Sequence, residues 1–312
     1  MRQVLIEFFR ANMVVVLFAY GLSFFAMGLA IALQSRRPSE LRMARHLPLL
    51  GTFGVLHALA SWGLVFIPIQ RTYTPAAIIL VLEALYSILT ALTFTFLLAF
   101  GAGLLADTVP NLRLVRHLPA VLTGVWAAGF FVYPLLIAPN EYQQWMMASD
   151  TWARYLVGIP GSILSAVAIG LQEAEFHSRG MQRLVGQLRW IIISLVAYAV
   201  AAGLVVPPTR FFPSTVLNSE AFLQATGIPV ELVRALAGLG MAYFTIRIME
   251  MFDIEAARRM EEMQRVKAVL EERDRIAREL HDGVIQSLYG LGLGMENAAY
   301  LLEDDPARAR QT

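Results

Sequence analysis

Seven long stretches of mostly apolar residues are the feature that most limits what this chain can fold into. A helix needs roughly 20 such residues to cross the hydrocarbon core of a bilayer, and lipid provides no partners for open backbone groups. The sequence therefore predicts an all-α fold that begins with a bundle of seven transmembrane helices. Spans one to seven are placed near residues 12–33, 48–69, 76–105, 118–138, 152–171, 188–207 and 229–249.

The composition divides the chain into an apolar body and a charged tail. Of the 312 residues 57% are hydrophobic and 16% are charged, whereas an ordinary soluble domain has about 25% charged residues. Residues 1–246 carry 15 basic and 10 acidic side chains, while the last 66 residues carry 10 basic and 14 acidic ones. Because the tail is slightly acidic, we expect no direct binding to nucleic acid. The absence of cysteine from the sequence excludes disulfides, thiolate metal sites and cysteine catalysis.

The placement of arginines predicts the orientation in the membrane, because positive residues near span ends are retained on the cytoplasmic side. Nine arginines lie in the first, third and fifth loops, and three lie on the other face. We therefore expect the N-terminus outside and the C-terminus in the cytoplasm. The nine are Arg36, Arg37, Arg42, Arg45, Arg113, Arg116, Arg179, Arg183 and Arg189, and the three are Arg71, Arg154 and Arg210.

Ionisable side chains at membrane depth are costly and are therefore candidates for binding a ligand. Glu83 lies about two turns into span three, His57 lies near the middle of span two, and Arg154 lies in span five. Glu231 and Arg234 lie one turn apart at the start of span seven. Two purely structural alternatives remain open: Glu231 and Arg234 form an interfacial ion pair, and His57 makes an interhelical hydrogen bond.

A proline in span five predicts an irregular helix. Pro160, followed by Gly161, frees backbone carbonyls and kinks the helix, which is tolerated only where neighbours or a cavity satisfy those groups. We therefore expect an outward-facing pocket. The five histidines show no spacing typical of metal ligands, so no metal site is predicted.

The tail keeps a seven-residue repeat from Met249 onward. Its positions a are all apolar, whereas its positions d alternate between apolar residues and arginine before ending on serine. This pattern predicts that the helix continues from span seven without a break and forms a coiled coil over residues 250–271, most simply in a homodimer. Positions a are Met249, Ala256, Met263, Leu270, Ala277, Val284 and Leu291, and positions d are Phe252, Arg259, Val266, Arg273, Leu280 and Ser287.

Residues 272–288 read ERDRIARELHDGVIQSL and carry the most specific pattern of the chain. His281 falls at position e, beside the packed seam, where an imidazole can reach solvent and accept a phosphoryl group. Asp282 can hold the other ring N–H and so orient the tautomer. Gln286, one turn after Asp282, can position a water for hydrolysis of an acyl phosphate on a partner.

This stretch resembles the dimerisation and phosphoacceptor helix of bacterial two-component sensor histidine kinases, specifically the nitrate-sensor-like subfamily, whose helix reads closely as ERxRIARELHDxxxQ. The resemblance implies that His281 is autophosphorylated and that Asp282 assists as base. It also implies that Asp282 and Gln286 form a phosphatase motif acting on a response regulator, commonly one with a helix-turn-helix output. Residues 1–249 would then be the sensor domain of a homodimer in the bacterial inner membrane, and residues 272–312 a partial dimerisation and phosphotransfer domain.

One departure from that family concerns the ATP-binding domain, which there follows a second helix. In this chain residues 304–306, Asp-Asp-Pro, are typical of the turn between the first and the second helix, and the sequence stops at Thr312. We therefore expect that this chain binds no ATP, that ATP and Mg²⁺ are held by a domain of the intact kinase, and that the chain alone is not catalytically competent. It is then a fragment of a larger kinase, a truncated gene product or a receiver of phosphate from another chain. The glycines at 290, 292 and 294 follow no strand and are expected to continue the helix.

A second function from another class remains open on these residues. The chain would then be a non-enzymatic seven-span receptor or a transporter-like binding module whose tail only dimerises. Changing His281 to Gln separates the two hypotheses, because only a kinase would lose phosphorelay output while keeping insertion and dimerisation.

Overall fold

A computed structural model describes residues 2–34, 41–136, 141–178 and 181–304. Within these ranges every regular element is a helix, and one isolated backbone bridge joins Val206 to Asn218. Seven of the helices are long and apolar enough to cross a membrane. The all-α fold with seven candidate spans is thus confirmed. The loop residues Arg36, Arg37 and Arg179 lie outside the described residues, as do Asp305 and Pro306 of the predicted turn.

The seven spans lie close to the predicted positions, and spans two, four and five are clearly longer than expected. Span four begins earlier because a 3₁₀ helix, Pro110–His117, leads directly into the α-helix Leu118–Val132. Span five is built from several consecutive helical segments. Spans one to seven run Met13–Gln34, Arg42–Gln70, Ala76–Thr108, Pro110–Leu135, Gln144–Ser178, Leu184–Leu204 and Val230–Glu250.

The remaining helices flank or extend these spans. A short helix, Arg2–Ala11, precedes span one, and another, Ser219–Thr226, lies between spans six and seven. Asn218 caps the latter, since its side chain accepts a hydrogen bond from the backbone N–H of Ala221 at 2.8 Å. The last helix extends from Val230 to Asp304, so span seven and the charged tail belong to one helix.

Spans one and two approach each other closely at glycines. A Cβ atom at Gly28 would lie 2.7 Å from the carbonyl oxygen of Gly51, and one at Gly54 would lie 2.7 Å from the carbonyl oxygen of Phe24. Both distances are too short for any side chain. Small residues are what allow two membrane helices to pack backbone against backbone.

Spans five and six each contain one π-helical segment. In span five it covers Arg154–Gly158 and ends just before Pro160. Proline has no N–H to donate, so a carbonyl of the preceding turn lacks its usual partner and the helix widens there. The second π-helical segment, Ala199–Leu204, ends span six and has no proline within it.

The chain forms two compact units, Met1–Asp253 and Ile254–Thr312. The first contains all seven spans and the buried core, whose largest fully buried side chains include Tyr198, Phe24, Phe53 and Phe94. The described part of the second unit is helical, and nearly all the side chains described there are exposed.

Candidate functional site

The phosphoacceptor motif predicted from the sequence lies on the last helix, in the second unit. The side chains of His281 and Asp282 are 71% and 75% exposed, and Nδ1 of His281 lies 3.5 Å from Oδ1 of Asp282. That distance allows an electrostatic contact but exceeds a good hydrogen bond. Gln286 is also exposed, one helical turn after Asp282. A partner molecule can therefore reach all three groups from solvent.

Charged neighbours surround the motif on its N-terminal side. Arg275 donates hydrogen bonds to Glu272 at 2.6 and 3.0 Å and to Glu279 at 3.3 Å. The hydrogen bond with Glu272 raises the pKa of Arg275 above its usual range. These pairs lie three and four residues apart, the spacing that supports an exposed helix.

The apolar seam of the heptad repeat is uncovered in the single chain. Met263, Val266, Leu270, Leu280 and Val284, all at positions a or d, are exposed over half or more of their surface. Exposed apolar side chains that share one face are typical of an interaction surface, and here arginines at positions d interrupt the row. The row fits the predicted coiled-coil seam.

The glycines after the motif do not form a phosphate-binding loop. Gly290, Gly292 and Gly294 lie inside the last helix, Val230–Asp304. A residue in the middle of an α-helix has its backbone N–H bonded to a carbonyl of the preceding turn, so these amides are not free to hold a phosphate. The three glycines therefore continue the helix, as the sequence predicts.

His57 lies at the centre of a buried polar cluster in the first unit. Its Nε2 lies 2.5 Å from the hydroxyl of Tyr20 and 2.9 Å from that of Tyr198, and its Nδ1 lies 3.3 Å from the hydroxyl of Thr93. The cluster joins spans one, two, three and six. His57 also contacts the rings of Phe24, Phe53 and Phe94. This matches the structural alternative, an interhelical hydrogen bonder.

Arg154 forms a buried ion pair within span five. Its Nε donates to Oδ2 of Asp150 at 2.8 Å and its Nη2 donates to Oδ1 at 3.3 Å, with both side chains less than a tenth exposed. Its Nη1 donates to the carbonyl oxygen of Ala202 in span six at 3.2 Å. The bidentate geometry joins both carboxylate oxygens of Asp150 to the guanidinium of Arg154.

Arg234 of span seven is held mainly by backbone carbonyls. Its Nε donates to Ala201 at 2.9 Å and its Nη2 donates to Val205 at 2.6 Å. The pair with Glu231 that the sequence suggested is present but longer, at 3.4 Å. Arg234 therefore fastens span seven to the end of span six.

Glu83 pairs with Arg71, which follows the end of span two. The side chain of Glu83 is 13% exposed, whereas that of Arg71 is 56% exposed. Both residues line a cavity of about 360 Å³, which Tyr86, Ser87 and Asp150 also line. Of the predicted ligand candidates, Glu83 alone belongs to the wall of this cavity.

Sequence reasoning missed several partners of the predicted residues. Asp150 precedes Arg154 by four residues, and that spacing within a helix would have identified the pair. The hydroxyls of Tyr20, Tyr198 and Thr93 carry no comparable signal, because they come from three other helices. Within the part of the chain that the structure describes, no group of three or more His, Asp or Glu side chains could hold a metal ion.

Comparison with known proteins identifies the C-terminal segment. Residues 272–312 match the HisKA_3 family, described as histidine kinase, and the matched range includes His281, Asp282 and Gln286. No curated protein and no solved structure matches the chain. A segment that matches a histidine kinase family model thus follows seven helices apolar enough to cross a membrane. Both findings are consistent with the resemblance to nitrate-sensor-like membrane histidine kinases.

Proposed function

We propose that this chain is the sensor and phosphoacceptor part of a membrane sensor histidine kinase. His281 receives a phosphoryl group and passes it to an aspartate of a response regulator. The family match over residues 272–312, which includes His281, carries the proposal. The exposure of His281 beside Asp282 supports it, because a phosphoryl donor and a regulator must both reach the imidazole.

The chemistry assigned to the chain's own residues is nucleophilic. A ring nitrogen of His281 attacks the phosphorus, a P–N bond forms, and the bond to the leaving nucleotide breaks. Asp282 accepts a hydrogen bond from the N–H of the other ring nitrogen once the two side chains rotate toward each other. This hydrogen bond favours the tautomer in which the attacking nitrogen carries the lone pair. In the intact kinase, ATP held with Mg²⁺ by a separate catalytic domain would supply the phosphoryl group.

The same proposal places the chain in the bacterial inner membrane as a homodimer. The N-terminus lies outside and the C-terminus lies in the cytoplasm, as the arginine distribution predicts. The regulator carries a helix-turn-helix output in the commonest arrangement of this subfamily. A reporter enzyme fused after Thr312 should be active only on the cytoplasmic side, and activity on the other side would contradict this topology.

Phosphotransfer onto the full chain tests the proposal. Membranes containing the chain are incubated with ATP, Mg²⁺ and a separate catalytic domain from a related kinase. We expect an acid-labile, base-stable label that is lost in His281→Gln. The variant His177→Gln is the matched control, because His177 is also an exposed histidine and should leave the label unchanged.

The alternative function predicts a different result. If the tail only dimerises, His281→Gln and the unchanged chain give the same regulator phosphorylation in cells. Equal labelling of the two proteins in membranes would likewise contradict the assignment of His281.

A further inference from the structure

The cavity beside Glu83 has the composition of a binding site for a small molecule. Its volume is about 360 Å³, and its wall comes from spans two, three and five and from the loop after span six. Leu64, Ile67 and Met146 provide apolar surface, and a few polar side chains face the same space. A mostly apolar cavity with a few polar groups is the usual form of a small-molecule site.

Two carboxylates from different spans line this cavity. Glu83 comes from span three and Asp150 from span five. Asp150 is held from behind by Arg154, which is not part of the wall, and each of its oxygens accepts one hydrogen bond. A carboxylate has about four acceptor positions. Asp150 therefore keeps acceptor capacity for a donor in the cavity.

Ser87 adds a buried hydroxyl that has no strong partner. Its side chain is 1% exposed, and its hydroxyl donates only to the sulfur of Met146, at 3.9 Å. A thioether is a weak acceptor. Within the described residues, the oxygen of Ser87 accepts no hydrogen bond. A buried hydroxyl in this condition gains from a ligand that donates to it.

The two side chains of the pair between Glu83 and Arg71 differ in exposure, and this difference indicates the charge of the ligand. Glu83 is nearly buried and needs a cation beside it, whereas Arg71 is mostly exposed and can be solvated without that contact. A ligand cation can therefore take the place of Arg71 at Glu83 and release the guanidinium into water.

We propose that this cavity binds a small organic ammonium ion with an apolar body. The ammonium group contacts Glu83 and donates to Ser87 or Asp150, and the apolar body packs against Leu64, Ile67 and Met146 beside the ring of Tyr86. Binding does not depend on kinase activity. The role of the site as the input of the sensor rests on the proposed function.

Contacts lead from the cavity to span seven. Asp150 holds Arg154, Arg154 donates to the carbonyl of Ala202, and Arg234 of span seven donates to the adjacent carbonyl of Ala201. A ligand that draws Asp150 toward the cavity weakens its hold on Arg154. A signal requires that the ligand bind two arrangements of these groups with different affinity.

Calorimetric titration of the full chain in lipid nanodiscs tests the binding. The probe is phenethylammonium, and the matched compounds are phenethyl alcohol, which is neutral, and hydrocinnamate, which is anionic. We expect saturable binding of the ammonium ion and affinity at least about tenfold weaker for the other two, as loss of a charge-assisted hydrogen bond predicts. Equal affinity for the alcohol, or no binding of the ammonium ion, would overturn the proposal.

Two variants of the same ion pair should shift the affinity in opposite directions. Glu83→Gln removes the anion and should weaken binding about tenfold, whereas Arg71→Gln removes the competing cation and should strengthen it severalfold. If both variants weaken binding equally, the pair has only a structural role and the proposal fails. Arg10→Gln and Glu220→Gln alter an exposed pair outside the cavity and should leave the affinity unchanged.

The binding test and the labelling of His281 can fail separately. Charge-dependent binding without labelling of His281 would sustain this site and refute the kinase assignment. Labelling without charge-dependent binding would support the kinase assignment and refute this site. When both succeed, the ammonium ion should change the rate of labelling in the unchanged chain but have no effect at the same concentration in Glu83→Gln.

Discussion

Arg154 of span five and Arg234 of span seven bind neighbouring carbonyl groups of one π-helical segment in span six. Arg154 donates to Ala202 and Arg234 donates to Ala201, at 3.2 and 2.9 Å. Two cations from different spans thus hold the same stretch of backbone. Because the helix ends at Leu204, the carbonyls of its last turn have no partner within the helix and are available to such donors.

Removing one partner of the buried pair in span five should be costly. Asp150→Asn leaves Arg154 as an uncompensated buried cation, so we expect a loss of about 3–5 kcal/mol in the free energy of unfolding. Denaturant titration in detergent, followed by tryptophan fluorescence, measures this loss. Glu220→Gln removes one partner of the exposed pair with Arg10 and should cost no more than about 1 kcal/mol. Equal losses would contradict the burial of Asp150.

Loss of His57 should lower the free energy of unfolding more than loss of one of its hydrogen-bond partners. His57→Leu leaves the hydroxyls of Tyr20 and Tyr198 without this partner, and each unsatisfied buried group costs about 1–3 kcal/mol. Tyr198→Phe removes one hydroxyl while His57 keeps Tyr20 and Thr93, so its cost should be about 1 kcal/mol. The same unfolding titration distinguishes the two variants. His177→Leu, at an exposed position, serves as the control and should be close to neutral.

Alanine should have opposite effects at two glycines within the spans. At Gly28 a Cβ would meet the backbone of Gly51 and Val55 at 2.7 Å, so we expect destabilisation by about 1–3 kcal/mol. At Gly124 nothing lies within 4 Å of the added carbon. Alanine there should stabilise the helix by up to about 1 kcal/mol through its higher helix propensity. Thermal unfolding of both variants checks the signs, and destabilisation at Gly124 would show that its face is covered.

An acidic residue on the seam of the tail should weaken self-association. Leu280 lies at position d of the repeat, so Leu280→Asp should weaken the dimer by about tenfold or more, since a buried leucine contributes about 1.5–3 kcal/mol. Ile285→Asp introduces the same charge one turn away, off the seam, and should have little effect. Energy transfer between labelled chains in nanodiscs measures the association. A larger effect at Ile285 would place the seam on another face.

Loss of the Gln286 amide should slow dephosphorylation of the regulator without affecting phosphorylation of His281. Gln286→Ala should leave the labelling of His281 within about twofold and slow the dephosphorylation of the regulator by about tenfold or more, because the amide positions the attacking water. The lifetime of the phosphorylated regulator is the quantity to measure. Gln264→Ala alters another exposed glutamine of the tail and should change neither rate.

The spans and the phosphoacceptor motif were the most predictable parts of this chain. Length and apolarity alone indicate a membrane helix, and they located all seven helices. The motif around His281 depends on residue type and spacing within one helix, so no tertiary information was needed to recognise it.

The partners of the buried groups were less predictable. A helix that is apolar on every side does not reveal which side faces its neighbours, so the contact of His57 with Tyr198 could not be read from either span. The pair of Glu83 with Arg71 joins two helices across a turn. The π-helical segment at Ala199–Leu204 contains no proline and had no sequence signal at all.

Because of that segment, the number of residues in span six matters as much as their type for the direction of its last carbonyls. A π-helical turn closes its hydrogen bonds five residues apart instead of four, so it holds about one residue more than an α-helical turn. Val200 is half-exposed, so replacing it with another apolar residue should be tolerated. Deleting it would leave Tyr198 facing His57 but would tighten the segment into an α-helical turn, which moves the carbonyls of Ala201 and Ala202 relative to both arginines.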